Sequence, residues 1–299
     1  MMMRFDQLFP ALLFLAVACS PIASNQPSRS EVVLTSTTIL ADIARNVAGD
    51  RLSIESILPI GADPHEYEPV PADLAGISDA RLLIINGAGY EESLMPYLEN
   101  TPGSTRIVEA SAGLSSRTDP EMEHGLDPHY WQDPNYVINY VENIRDGFID
   151  LDPQAALEYR SNAAAYIVQL QELDGWIEQQ VSGIPIEHRL LVTNHDALGY
   201  FADRYGFKVM GTILKSASSQ ASVSAQELSA TVELVNSTGV PAIFLDAVEN
   251  PNLADQIAEE TGVAVVDDLH IESLTSGPPA GTYLDMMKHN VSRIVQALE

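Results

Sequence analysis

Apolar and polar positions along the chain fall into a recurring two-part unit. "EVVLTS", from Glu31, is a short apolar run of the kind that forms a buried strand, and behind it Ile39, Ile43 and Val47 keep helical spacing up to Gly49. "RLLIIN" followed by "YEESLMPYLEN" repeats the unit, as do "RLLVTN" before "HDALGYFADRYG" and "PAIFLD" before "NLADQIAEETG". Strand-then-helix alternation predicts an α/β protein with mostly parallel sheets flanked by helices. Between the two halves, "DPQAALEYRSNAAAYIVQLQELDGWIEQQVSG" reads as one helix over 152–183, with Asp152 as N-cap, Pro153 in its first turn and Gly183 as its stop. About thirty residues at 1.5 Å each make about 45 Å of helix, more than one small lobe needs. The predicted organisation is therefore two lobes, 31–150 and 186–299, joined by one long helix. "VLTSTTILADIARNVAG" and "LVTNHDALGYFADRYG" also echo each other at Thr35/Thr193, Leu40/Leu198 and Ala44/Ala202.

Length and composition fit this organisation. The chain has 299 residues, more than a single core usually supports, and 45% of them are hydrophobic against 19% charged, enough for packed cores. Charge narrows the partners: 15 Lys and Arg against 42 Asp and Glu leave a formal net of −27. Such a surface repels phosphate backbones and gathers cations, so nucleic acid is excluded as a partner. The start changes the location. Arg4 precedes an apolar run from Leu8 to Ala18 that is too short to span a bilayer, and residues 1–18 read as an export signal. Cys19, the only cysteine, follows Ala16-Val17-Ala18 in a pattern that resembles a bacterial lipobox, with Leu15 one position early. Two readings stand: lipidation at Cys19 with a flexible tether over 19–30, or a plain secretory signal. Both place the mature protein outside the cytoplasm.

The chemistry lies in a repeated phrase, "GADPHEYEP" from Gly61 and "GLDPHYWQDP" from Gly125. Proline fixes its own φ and turns the residue before it away from helix, so each Asp-Pro-His presents a histidine from a stiff turn. Neutral imidazole is a preferred zinc ligand, and a carboxylate on its other nitrogen fixes the tautomer. Asp63 and Asp127 either do that or cap their turns. A third histidine, His195, follows the run Leu190 to Val192 at the carboxyl end of a predicted parallel strand, where α/β sheets bind ligands.

"DPHEYEP", "DPHYWQDP", "TNHDALGYFADRYG", "GVPAIFLDAVENPNLADQIAEETG" and "GTYLDMMKHN" closely resemble, in order, segments of the solute-binding lipoproteins of zinc and manganese ABC importers. The resemblance covers about Glu31 to Glu299. It implies two α/β lobes with a metal held between them, a membrane permease as partner, and a monomer attached to the membrane through lipidated Cys19. Its metal ligands fall on His65, His129 and His195. Manganese-type members tend to carry glutamate at the third place and zinc-type members histidine, so the implied cargo is Zn2+, with Mn2+, or iron, as the alternative. The fourth ligand, usually aspartate, falls on Glu272 in "HIESLTS", where binding through one oxygen or two is open. His270, two residues away, is its rival, since alternate residues of an extended chain share a face. Asp246, at the end of "PAIFLD", is expected to support the site from behind. His188 and His289 are expected to stay outside it, and His124 to lie on a loop near it.

A shell of three imidazoles and one carboxylate leaves no position for a reacting water, which favours capture over catalysis. No His-Glu-x-x-His or Gly-x-Ser-x-Gly motif is present. The expected function is extracytoplasmic metal binding for an ABC importer, not an enzyme. A zinc metallohydrolase and an adhesin-type surface lipoprotein are the alternatives.

Overall fold

The computed structural model describes residues 32–98, 105–118, 125–214 and 225–299. The expected export signal, Cys19, the tether and His124 lie outside the described residues.

The first lobe contains β1 (Val32–Thr35), α1 (Thr38–Ala48), β2 (Ser53–Ser56), α2 (Pro71–Asp79), β3 (Leu82–Ile85), α3 (Met95–Leu98) and β4 (Arg106–Glu109). Its strands are all parallel, in the order β2-β1-β3-β4. A 3-10 turn at Tyr130–Gln132 leads into α4 (Pro134–Leu151), followed by α5 (Ala156–Val181). The second lobe runs through β5 (Leu190–Thr193), α6 (Gly199–Tyr205), β6 (Lys208–Thr212), α7 (Ala225–Thr238), β7 (Ala242–Asp246), α8 (Asn252–Thr261), β8 (Ala264–Leu269) and α9 (Tyr283–Leu298). Its sheet is again parallel, in the order β6-β5-β7-β8. The two sheets thus share one topology, the structural counterpart of the echo between the two halves of the sequence.

Both faces of the central strands β1, β3, β5 and β7 are covered, which is why those strands read as continuous apolar runs, whereas the edge strands β2 and β4 are part-exposed and mixed in sequence. Successive side chains point to opposite faces. Val33, Leu82 and Ile84 enter a large central core, while Leu34 and Leu83 pack outward with Ile77 and Leu98. Likewise Leu191, Ala242 and Phe244 face the centre, and Val192, Ile243 and Leu245 pack outward with Val235 and Ile257.

The 26 residues of α5 extend about 39 Å and join the lobes. The helix is not a bare strut. Tyr159, Ala163, Tyr166, Leu170, Leu173, Ile177 and Val181 are buried against α1, α4 and α9, so one apolar core runs through both lobes.

Four local features differ from the sequence reading. Asp152 stands at the N-cap position of a 3-10 turn, Pro153–Ala155, without a side-chain capping bond, and α5 proper begins after it. The sequence reading places no helix over 134–151, where α4 stands with Asp133 accepting from the Asn135 N–H as its cap. "YEESLMPYLEN" is helical only at Met95–Leu98 among the described residues; Pro96 lacks the N–H that would extend the helix upstream. Finally, α6 starts at Gly199, because residues 194–198 form a turn in which Thr193 Oγ1 donates to the His195 carbonyl at 2.6 Å. No helix among the described residues is long and apolar enough to cross a membrane.

Candidate metal centre

The two Asp-Pro-His motifs fold alike. Gly61 and Gly125 open them at φ 78° and 67°, a region that favours glycine, and let the chain turn sharply. Asp63 Oδ1 then accepts the His65 N–H at 2.9 Å, and Asp127 Oδ1 accepts the His129 N–H at 3.0 Å. Asp127 also takes His129 Nδ1 at 2.8 Å, so it both caps its turn and fixes the tautomer. The repeated phrase encodes two copies of one turn, each holding an imidazole with Nε2 forward.

His195 follows β5 directly. Its Nδ1 lies 2.8 Å from Glu249 Oε1, while Glu249 Oε2 accepts the Asp246 N–H at 3.0 Å. Glu272 follows β8, and Asp246 Oδ2 accepts the N–H groups of Ile271 and Glu272, each at 2.6 Å. Asp246 thus supports the site from behind. On the other side, Tyr90 donates its hydroxyl to Glu272 Oε2 at 2.7 Å, leaving Oε1 to face the cleft.

Three imidazoles meet that oxygen. The Nε2 atoms of His65, His129 and His195 lie 3.8, 3.2 and 3.3 Å from Glu272 Oε1. The four donor atoms all lie within 4.8 Å of one another. Nε2 of His65 and of His129 is buried without a hydrogen-bond partner among the described residues. Ligands about 2.0–2.1 Å from a tetrahedral zinc ion stand about 3.3 Å apart, which matches two of the three separations closely.

Electrostatics agree with a site built for a cation. Burial by itself pushes the His129 imidazolium down, but Glu272 and Asp127 outweigh it and its pKa rises to about 9. His195 is also lifted well above its ordinary value, burial being overcome by Glu249 and Glu272. Burial would raise Glu272, yet the facing His129, His195 and His65 hold it well below the usual carboxylate range. Asp246 is raised to about 7 by burial and by its neighbour Glu272. Without metal, protons supply the positive charge that the carboxylate faces.

The other expectations divide. His270 turns away: its ring lies 5.3 Å from that of His289, tilted by 43°, and its backbone N–H donates to Asn290 Oδ1. The chain leaves strand geometry after Leu269, so the two-residue alternation that made His270 a rival of Glu272 does not hold there. His289 bonds the Asp268 carbonyl, and His188 is exposed in a 3-10 turn. Glu249 and Tyr90 carry no local sequence signal, because each meets its partner from 54 or 182 positions away.

The elements carrying these residues meet across the lobes. Trp131 Nε1 donates to the Ile271 carbonyl at 2.9 Å, Gly61 N–H to Ser273 Oγ at 2.8 Å, and Leu274 N–H to Thr38 Oγ1 at 3.0 Å.

Residues 33–297 match the family model described as "Zinc-uptake complex component A periplasmic". The manganese-binding lipoprotein MntA of Halalkalibacterium halodurans is 37% identical over 96% of this chain and 95% of its own. Among solved structures, the Mn-bound periplasmic metal-binding protein of Candidatus Liberibacter asiaticus is 29% identical with a TM-score of 0.80, covering 90% of this chain and 100% of its own. The periplasmic zinc-binding protein TroA of Treponema pallidum is 26% identical with a TM-score of 0.83, covering 90% and 99%.

Proposed function

The chain belongs to this family of extracytoplasmic metal-binding components of ABC importers and is not an enzyme, and from that premise we propose that it carries zinc to a membrane permease. The ion would be held by His65, His129, His195 and Glu272. One observation carries the reading: three Nε2 atoms converge on a single carboxylate oxygen at 3.2–3.8 Å. With Oε2 engaged by Tyr90, Glu272 offers one oxygen, and a shell of three nitrogens and one oxygen is the four-coordinate set zinc takes. Manganese prefers more oxygen donors and higher coordination. Lipid attachment at Cys19 and a monomeric state complete the proposal.

Manganese is the second reading, favoured by the manganese-binding relative at 37% identity. Metal analysis of protein purified without added metal, followed by zinc and manganese titrations against one competing chelator, separates the two. A preference for manganese under those conditions would sink the zinc reading and keep the binding function.

A further inference from the structure

We propose that Arg117 is a positioning residue that holds the two halves of the metal site in register across the lobes. The inference rests on the four-residue site proposed above. His129 comes from the first lobe and His195 from the second, and capture depends on keeping their Nε2 atoms at matched distances from Glu272. Behind His129 stands Asp127, whose side chain is 1% exposed; a carboxylate buried so deeply needs a partner for its second oxygen. Arg117 supplies it, with Nη1 3.1 Å from Asp127 Oδ2. Through Nε the same guanidinium reaches Asp203 Oδ2 at 2.9 Å, on α6 of the second lobe.

Helix α6 begins four residues after His195, so the arginine bridges the structures that present the two histidines. Three further features fit the bridge. Tyr200, also on α6, donates its hydroxyl to the Asp127 carbonyl at 2.8 Å and accepts the Arg117 N–H at 2.9 Å. The guanidinium lies 5.7 Å from the centre of that tyrosine ring. Position 199 is glycine where the guanidinium crosses the first turn of α6: a Cβ there would land on Arg117 Nη1 and come within 2.9 Å of Asp127 Oδ2. The planar fork serves two carboxylates from two lobes at once, which a lysine ammonium on a flexible stem does poorly.

The sign of the expected effect separates positioning from simple charge. Removing a cation near a metal site should, by Coulomb's law alone, tighten metal binding. Loss of positioning should weaken it, by ~10–100-fold, the usual range for a residue that orients a ligand from behind.

The test measures zinc and manganese dissociation constants by chelator competition, zinc release rates by stopped flow, and melting of the metal-free protein. The variants are Arg117→Gln, Arg117→Lys, Asp203→Asn, the Gln/Asn double variant, and Arg145→Gln, which removes an equal charge from an exposed pair with Asp146 on α4. Arg117→Gln should bind more weakly and release faster, and Arg117→Lys should fall between it and the parent. Asp203→Asn should weaken binding less, and should add nothing in the Arg117→Gln background. Arg145→Gln should bind like the parent. Unchanged or tighter binding of both metals in Arg117→Gln overturns the proposal, as does a lowered melting temperature with unchanged affinity. If Arg117→Gln does not fold, unchanged affinity in both Arg117→Lys and Asp203→Asn overturns it equally. A parent protein that binds neither metal removes the four-residue site itself, an outcome distinct from the failure of Arg117 alone.

Discussion

At His65 the ring reaches the centre from a turn that makes little of the core, whereas His129 is fully buried. His65→Ala should therefore abolish tight metal binding while leaving the metal-free melting temperature unchanged, as checked by chelator competition and calorimetry. His129→Ala should lose metal equally but also melt earlier, since its ring fills a buried space beside Trp131 and its loss leaves Asp127 Oδ1 with the backbone N–H of residue 129 alone. His195→Glu replaces an imidazole by a carboxylate and should shift preference from zinc toward manganese. Both metals measured against one chelator would show it, and an unchanged ratio would remove His195 from the shell. Protonation supplies a further test. His129 has an ordinary value of 6.5 and a folded value of about 9 without metal, so its stabilising effect on the metal-free protein is full below about 6.5 and lost as pH rises through about 9. Metal requires the neutral ring, so binding near pH 7.5 should expel protons, and affinity should climb with pH until about 9. Titration calorimetry in buffers of different ionisation enthalpy reads the proton count; heats independent of buffer would contradict it.

At the scale of elements, much was legible in the sequence. The strand runs Val32–Thr35, Leu82–Ile85, Leu190–Thr193 and Ala242–Asp246 are buried on both faces and bounded by turns, so they stand out as uninterrupted apolar segments. The two Asp-Pro-His turns were legible because proline and the positive-φ glycine act locally. Helix α4 is equally legible: Val137, Tyr140, Val141, Ile144 and Phe148 keep helical spacing behind an Asp-Pro start. Glu249, Tyr90 and the rejection of His270 were not readable, because each depends on where two distant segments meet. Helix α5 shows how local pattern and tertiary role combine. Its buried stripe at Tyr166, Leu170 and Leu173 was visible as spacing, but not that α1, α4 and α9 all pack on it. Leu170 is fully buried, and Leu170→Ala should cost about 2–5 kcal/mol in denaturant unfolding. A cost below about 1 kcal/mol would mean that the helix is held mainly by its ends.

Over the whole molecule, the central core does not stop at a lobe boundary, and segment 271–274 is hydrogen-bonded to the first lobe. Both lobes should therefore unfold in one transition, and two resolved transitions in calorimetry would show otherwise. The centre also has a direction. Side-chain exposure is 11% at His65 but 0, 7 and 2% at His129, His195 and Glu272. Seen as traffic, the proposed four-residue shell with that asymmetry predicts that handover is a substitution and not an escape: a recipient's donor atom would take the place of His65 while the three deeper groups still held the ion. Zinc loss should then accelerate with the concentration of a small competing chelator, since the chelator enters the rate-determining step. A rate that stays flat as chelator increases would mean that the ion leaves unaided and the partly open side sets no order of exchange.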